Sequence, residues 1–379
     1  MERNYLICLL LIFAYCNHVV YANELVPAAP EINATSYLLM DFNSGRILAT
    51  KNIDQRLAPA SLTKMMTVYV VASELTEGKL SLDDKVTISE KAWKMPGSRM
   101  FIEVGKKVSV GDLVKGVIIQ SGNDASVALA EHISGSEDVF AQIMNQHAKR
   151  LGLTNTHFVN STGLPDEQHY TTAHDQALLA IALIRDFPEI YALHAIKEFT
   201  FNDIKQQNRN KLLWKDKSVD GIKTGHTEEA GFCLVSSAKR DDMRLISVVL
   251  GTASSNSREK ASQALLNYGF RFYETKKVYS MNEIVTSARI WKGEVKNIDL
   301  GLSENLFVTI PRGKFSYLEK VFDLPEKIIA PVSNGETMGK LILTLSGEEI
   351  LVEPLVVLSD IRQANLFSRI KDEFHLIFE

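Results

Sequence analysis

Three short motifs constrain what this chain can fold into more than any other feature of its sequence. In chain order they are Ser61-Leu62-Thr63-Lys64, Ser121-Gly122-Asn123 and Lys223-Thr224-Gly225. Together they provide a hydroxyl group, two amines, an amide side chain and a strand-like segment. The first spacing is common, since a serine three residues before a lysine also occurs at Ser236/Lys239, Ser257/Lys260 and Ser368/Lys371. Lys-Thr-Gly occurs only once, so the ordered combination carries the information.

The residues around Ser61 predict that it lies at the start of a buried helix. Pro59 suits the first turn of a helix, and residues 62–71 form a nearly continuous apolar run. A helix that is apolar on all sides belongs in a core. Ser61 and Lys64 are three residues apart and therefore share one face at the N-terminal end of that helix.

These residue types predict acyl transfer by an activated serine. A free hydroxyl is a poor nucleophile, so Ser61 needs a base. Lys64 can be that base only if its pKa falls to about 7–8, a drop of about three units or about 4 kcal/mol. Burial and a second ammonium group, Lys223, both act in that direction. We expect Lys223 to be a fixed positive charge, Ser121 to relay a proton to the leaving amine, and Asn123 to orient Lys64 and the substrate.

The Lys-Thr-Gly segment predicts a strand along which a substrate binds. Gly225 allows a substrate backbone to approach closely. Thr224 and Thr227 can hydrogen-bond a carboxylate. The developing oxyanion needs two backbone N–H donors, for which Ser61 and His226 are the candidates.

Composition and histidine spacing exclude several other functions. The net charge is −4, from 42 basic and 46 acidic side chains, so nothing favours nucleic-acid binding. We predict neither a metal nor another cofactor, because the histidines have no Cys or carboxylate partners at ligand spacing. The sequence instead predicts surface or capping roles for His132, His147, His157, His169 and His174.

Residues 1–22 have the features of a signal peptide, so the chain is predicted to be exported. Arg3 precedes an apolar stretch at residues 5–15, and small residues near Ala22 suit cleavage. The mature chain keeps only Cys233, which excludes an internal disulfide. Cys233 stands between Phe232 and Leu234, so we expect it to be buried packing and not a nucleophile.

Residues 23–276 are predicted to form an α+β domain. A hairpin at 36–52 comes first, then helices at 125–133, 139–151 and 173–185 within a helical region, then strands at 199–202, 219–224, 230–239 and 243–250, and a helix at 258–274. We expect the first strands to join the later ones in one antiparallel sheet with helices on both faces.

Two further units are predicted after this domain. Residues 277–362 contain short β-rich runs divided by Pro and Gly, which indicates a small all-β domain without a titratable site. Residues 363–379 are predicted to form an amphipathic helix with Leu366, Phe367, Ile370, Phe374, Ile377 and Phe378 along one side. Such a helix can lie in a membrane interface or dock on its own protein. Its polar face is not strongly basic, so attraction to anionic lipid would be weak.

With these residues the chain resembles the low-molecular-mass penicillin-binding proteins of the D-alanyl-D-alanine carboxypeptidase family, the serine-type, membrane-anchored periplasmic kind. The resemblance covers nearly the whole chain. Besides the three motifs, it is carried by residues 57–67, 120–125, 152–158, 209–214, 219–227, 269–272 and 306–313.

The resemblance implies a β-lactamase/transpeptidase-like fold with an all-helical subdomain and a location at the periplasmic face of the bacterial inner membrane. It implies that Ser61 is acylated by the penultimate D-Ala of a peptidoglycan stem peptide ending in D-Ala-D-Ala, that water then releases the trimmed peptide, and that β-lactams acylate the same serine. It also places Arg209 and His226 beside the terminal carboxylate and makes Arg258 a further candidate there, although spacing alone predicts surface charges for both arginines.

Two alternatives remain at this point. A class A β-lactamase would add a glutamate that activates the deacylating water, but residues 160–175 contain no Glu-x-x-Leu-Asn pattern. An inactive cell-wall-binding protein on the same fold tends to lose one of its active-site residues, whereas Ser61, Lys64, Ser121, Asn123 and Lys223 are all present.

Overall fold

The structure, a computed structural model, describes residues 26–378. The predicted signal peptide, residues 1–22, lies outside the described residues. The strands are β1 (Ser36–Asp41), β2 (Ile47–Lys51), β3 (Lys85–Thr87), β4 (Lys107–Ser109), β5 (Glu198–Phe201), β6 (Ile204–Gln207), β7 (Val219–Thr227), β8 (Gly231–Arg240), β9 (Met243–Thr252), β10 (Tyr273–Tyr279), β11 (Thr286–Trp291), β12 (Asn297–Gly301), β13 (Leu306–Pro311), β14 (Leu318–Asp323), β15 (Ile328–Ile329), β16 (Thr337–Leu345) and β17 (Glu348–Val357).

The α-helices are α1 (Lys64–Thr76), α2 (Glu90–Lys94), α3 (Val110–Lys115), α4 (Asn123–Ser134), α5 (Glu137–Arg150), α6 (Ala173–Asp186), α7 (Pro188–Tyr191), α8 (Leu212–Lys215), α9 (Ser255–Phe272) and α10 (Leu366–Phe378). Short 3₁₀ turns cover Ala60–Thr63, Ala192–Ala195 and Phe315–Tyr317, and a π-turn covers Gly116–Gln120.

A five-stranded antiparallel sheet in the order β2-β1-β9-β8-β7 forms the frame of the first domain. Successive residues of β1 point to opposite faces of the sheet. Leu38 therefore joins the core that contains α1, α4 and α6, and Leu39 joins the core beneath α9. At Gly269 of α9 an added Cβ would lie 2.5 Å from Leu245 Cδ1, so the helix packs close to the sheet. The predicted antiparallel sheet with helices on both faces is confirmed.

The helical subdomain is also confirmed, with one correction to the predicted strands. Helices α4, α5 and α6 cover the three predicted helical stretches to within a few residues. The strand expected at 199–202 does not join the large sheet. Among residues 26–378 it pairs only with β6, as a separate hairpin beside the π-turn, because residues 202–203 reverse the chain with positive φ angles.

Residues after α9 form β-sheets around a core of their own. β10 pairs with β13, and a six-stranded sheet has the order β14-β16-β17-β12-β11-β15. Its core is built from aliphatic side chains such as Leu300, Ile310, Leu341 and Leu343. The predicted all-β domain is confirmed, with one 3₁₀ turn in it.

The chain ends in the predicted helix, α10. Two of its acidic residues contact Lys292 of the β domain: Asp372 accepts from the Lys292 N–H at 2.6 Å, and Glu373 pairs with the Lys292 amine. Four of its apolar side chains are exposed: Leu366 at 70%, Phe367 at 84%, Ile370 at 50% and Phe374 at 63%. None of the helices in residues 26–378 has the length and hydropathy needed to cross a bilayer.

Candidate active site

Ser61 and Lys64 lie where a 3₁₀ turn runs into α1. Ser61 is half-buried and belongs to the turn, whereas Lys64 is the first residue of α1 and is completely buried. The Lys64 Nζ and Ser61 Oγ atoms are 3.0 Å apart. The structure therefore brings this predicted pair into hydrogen-bond contact.

The Lys64 amine has two other close partners, and both are acceptors. Nζ lies 2.7 Å from Asn123 Oδ1 and 2.6 Å from the backbone oxygen of Thr162. Burial, followed by the charge of Arg209, lowers the pKa of Lys64 to about 7. A lysine that acts as a base at neutral pH needs a pKa in this range.

The Thr162 carbonyl belongs to a loop whose shape its own residues fix. Asn160 Oδ1 accepts from the backbone N–H groups of Thr162 and Gly163, at 3.1 and 2.7 Å. Gly163 has φ +84°, and an added Cβ would lie 1.8 Å from the oxygen of Ala60. Only glycine allows this loop to approach the nucleophile's turn so closely.

His169 links the same loop to the 3₁₀ turn that precedes α1, and it was missed as a functional residue. It is 3% exposed, and its Nδ1 accepts from the Val159 N–H at 3.1 Å. Because Nδ1 is an acceptor, Nε2 carries the proton and donates to Thr63 Oγ1 at 2.7 Å. Burial lowers the pKa of His169 to about 4. The predicted surface or capping role was therefore wrong for His169, and spacing alone gave no signal of a contact 106 residues along the chain.

Ser121 follows the π-turn, and Asn123 is the first residue of α4. Ser121 has φ +64°, which a non-glycine residue rarely adopts and which marks a locally strained backbone. The Asn123 side chain is held from both ends, because its Nδ2 donates to the Pro96 oxygen at 2.7 Å while Oδ1 accepts from Lys64. The middle motif thus orients a hydroxyl and an amide toward the amines.

Lys223 approaches from β7 on the other side of Ser121. Its Nζ donates to Ser121 Oγ at 2.9 Å and to the Thr224 oxygen at 3.0 Å, and the side chain is 3% exposed. Burial, then the charges of Lys64 and the two nearby arginines, lower the pKa of Lys223 well below its usual value. A lowered pKa makes Lys223 exchange a proton more readily than an ordinary lysine.

The rest of the β7 motif lies along the nucleophile's turn. An added Cβ at Gly225 would lie 3.1 Å from the Pro59 oxygen, so Gly225 also permits close packing within the protein. Thr224 is nearly buried, and His226 is exposed with its ring 3.9 Å from that of Phe232. Thr227 Oγ1 accepts from the Ala230 N–H at 3.0 Å and shapes the turn into β8.

Arg209 and Arg258 line one cavity of about 510 Å³ next to these motifs. Arg209 is exposed, and its Nε donates to the oxygen of Gln120, which precedes Ser121. Arg258 is only 7% exposed and donates to the Gly225 oxygen at 3.0 Å, so the surface position that spacing predicted for it was wrong. Lys205 and Lys211 also line this cavity, which makes it strongly basic.

Cys233 is buried as predicted, and burial raises the pKa of its thiol to about 11, which suits packing and not nucleophilic attack. In residues 26–378 no three His, Cys, Asp or Glu side chains are arranged to hold a metal ion.

The serine–lysine pair lies at the start of a buried helix and faces a Lys-Thr-Gly strand across a Ser-x-Asn turn. This arrangement defines the class of active-site serine enzymes that contains penicillin-binding proteins and class A β-lactamases. Family models make the assignment specific. Residues 23–254 match the D-alanyl-D-alanine carboxypeptidase family, and residues 273–363 match the C-terminal domain of penicillin-binding protein 5. The chain belongs to the serine-type D-alanyl-D-alanine carboxypeptidase family.

Known proteins similar to this chain agree with that assignment. D-alanyl-D-alanine carboxypeptidase DacC of Escherichia coli K12 is 45% identical over 370 residues, covering 94% of this chain and 92% of the relative. Penicillin-binding protein 5 of Haemophilus influenzae has a crystal structure with TM-score 0.87 and 45% identity, covering 89% of this chain and all of that one. A more distant structure, penicillin-binding protein D2 of Listeria monocytogenes in an ampicillin-bound form, has TM-score 0.59 and 30% identity, covering 64% of this chain and all of that one.

Proposed function

We propose that this carboxypeptidase removes the terminal D-alanine from peptidoglycan stem peptides through an ester on Ser61. The observation that carries the proposal is the environment of the Lys64 amine. A neutral amine has two N–H donors and one lone pair. Asn123 Oδ1 and the Thr162 oxygen are pure acceptors and take the two donors, so the lone pair faces the Ser61 hydroxyl.

The same contacts suit the next step of the reaction. Ser61 Oγ attacks the carbonyl carbon of the penultimate D-alanine while its proton passes to Lys64. The resulting ammonium has three N–H donors for three oxygen partners, so no group is left unpaired. Because the pKa of Lys64 is about 7, about half of the amine is neutral at pH 7 and able to act as the base.

Ser121 and Lys223 are placed to serve the leaving group. When the peptide C–N bond breaks, the amine of the released D-alanine needs a proton. The Ser121 hydroxyl can give it and be resupplied by Lys223, 2.9 Å away. The lowered pKa of Lys223 makes its ammonium a better proton donor than an ordinary lysine.

Backbone donors and the basic cavity complete the proposed substrate site. We assign the oxyanion to the N–H groups of Ser61 and His226, each donor being worth about 3 kcal/mol in such a site. The terminal carboxylate would bind Thr224 and Arg209, with Thr227 beside them. Arg258 supports this site by holding the oxygen of Gly225.

β-Lactams are proposed to acylate Ser61 in the same way. In a class A β-lactamase a glutamate activates the water that hydrolyses the acyl-enzyme. Here the corresponding partner of Lys64 is the Thr162 carbonyl, and no carboxylate of the described residues bonds its amine. The acyl-enzyme should therefore be hydrolysed slowly, which favours a penicillin-binding carboxypeptidase over a β-lactamase.

The C-terminal helix supports a peripheral location at the membrane. Leu366, Phe367, Ile370 and Phe374 are 50% to 84% exposed, although apolar side chains of this size are usually buried. The polar side of α10 is already bonded to Lys292. We propose that the apolar side lies in the outer interface of the cytoplasmic membrane, after export directed by residues 1–22.

The experiment that tests the activity is incubation with a pentapeptide ending in D-Ala-D-Ala, with measurement of free D-alanine. The wild type should release one D-alanine per peptide, and Ser61→Ala should release none while keeping nearly the wild-type melting temperature. Release by Ser61→Ala, or no release by the wild type, would contradict the proposal.

A further inference from the structure

A second polar cavity, of about 520 Å³, lies between α10 and the β domain. Its walls are residues 289–290 of β11, residues 293–297 of the segment that follows this strand, and one flank of α10. Three cations line it: Arg289 and Lys296 from the β domain and Lys371 from the helix. Among residues 26–378 none of the three takes part in an ion pair, whereas Lys292 close by is paired with Glu373.

The same cavity also contains two acids, each of which accepts one hydrogen bond from a neutral backbone N–H. Asp372 accepts the Lys292 N–H at 2.6 Å, and Glu294 Oε1 lies 3.5 Å from the Arg362 N–H. The side chain of Arg289 has a fixed orientation because its guanidinium stacks on the Trp291 ring, 3.7 Å from the ring centre. Three cations, two from the β domain and one from α10, outnumber these two carboxylates, so the cavity carries a net positive charge.

The cavity lies beside the apolar side of α10. Lys371 follows Phe367 by four residues, which is about 40° around the helix. Val295, in the turn that lines the cavity, is 43% exposed and extends the apolar surface onto the β domain. With the apolar surface in a membrane interface, this cavity stands at the depth of the lipid phosphates.

We propose that this cavity binds the phosphate of an anionic phospholipid headgroup. The inference rests on the proposed membrane docking of α10 and adds a lipid preference to it. The helix alone is not basic enough for such a preference, as its sequence indicated. Folding supplies the missing charge, because Arg289 of β11 and Lys296 of the turn after it reach the cavity from a part of the chain far from α10.

The test compares sedimentation of the full-length mature protein with vesicles of phosphatidylcholine and with vesicles of phosphatidylcholine plus phosphatidylglycerol. The wild type should bind the second kind more tightly. Arg289→Gln with Lys371→Gln should remove that preference, at about fivefold per charge, which corresponds to about 1 kcal/mol each. The matched control is Lys106→Gln with Lys107→Gln, on the exposed β4 region of the first domain, which should keep the preference. Equal binding of both vesicles by the wild type, or an equal loss in the control, would overturn the proposal.

Two further arms separate this inference from its alternatives. Phe367→Ser with Phe374→Ser should abolish binding to both kinds of vesicle, and unchanged binding would instead refute the membrane docking itself. Inorganic phosphate, compared with chloride at equal ionic strength, should leave the phosphatidylglycerol preference intact. If inorganic phosphate abolishes it, the cavity is a site for free anions and the lipid assignment is wrong.

Discussion

The charge of Arg209 should lower the pH at which this enzyme becomes active. Burial is the main cause of the low pKa of Lys64, and the charge of Arg209 is the second. A lysine base works only when neutral, so kcat/KM should rise with pH through about 7 and be lost below it. With a pKa of about 7, the neutral fraction differs about tenfold between pH 8 and pH 6.

Arg209→Gln removes one of the two effects that lower the pKa of Lys64. The pKa of Lys64 should then rise, on the order of one unit for a nearby charge. The ratio of kcat/KM at pH 8 to that at pH 6 should increase from about ten to about fifty. The assay is D-alanine release from a D-Ala-D-Ala peptide at low substrate concentration across this pH range.

Arg209→Lys is the matched control, because it keeps the charge but loses the forked geometry that binds a carboxylate. Both variants should bind the substrate more weakly, but only Arg209→Gln should move the acid limb of the profile. If both variants move it equally, or if neither does, the electrostatic reasoning about Lys64 is wrong.

Three other predictions concern the loop beside Lys64, the histidine that fastens it, and α10. Gly163→Ala should cost about 2 kcal/mol or more of unfolding free energy and reduce penicillin labelling. The control, Gly152→Ala, is also at positive φ but has open space around it, so it should cost about 1 kcal/mol in thermal melts. His169→Phe should leave Thr63 Oγ1 and the Val159 N–H unpaired and lower kcat more than it raises KM. The wild type should lose stability as the pH falls from about 6.5 to about 4, because unfolding allows His169 to be protonated, and the variant should show less of this loss. An unchanged pH dependence of stability would contradict this prediction. Removing residues 365–379 should move the exported protein to the soluble fraction with its peptidase activity intact, and membrane retention would contradict the anchor.

Local patterns were sufficient to predict the frame of this fold. The apolar run after Ser61, the hairpin at 36–52 and the three helical stretches depend on periodicity and turn residues, and these act over a few positions. The strand at 199–202 was placed in the wrong sheet because pairing partners are decided by tertiary packing, which a short apolar run does not encode.

The candidate site was predictable where a motif carries its own chemistry, and not where support comes from distant backbone. The contacts of Ser61, Lys64, Asn123, Ser121 and Lys223 agree with what their residue types suggested. The Thr162 carbonyl carries no side-chain signal, and His169 became significant only when folding placed it against Thr63. Arg258 looked like a surface residue because burial of an arginine depends on finding carbonyl partners, here Gly225 and Cys233, elsewhere in the fold.

In this account a neutral Lys64 activates Ser61. The most direct test is to map the acyl-enzyme by mass spectrometry after brief reaction with benzylpenicillin. The mass of one penicilloyl group should be found on the peptide that contains Ser61 and on no other. Lys64→Arg, which keeps a charge but cannot act as a base at this pH, should form that adduct at least about a hundredfold more slowly. An adduct on another residue, or acylation of Lys64→Arg at the wild-type rate, would contradict the account.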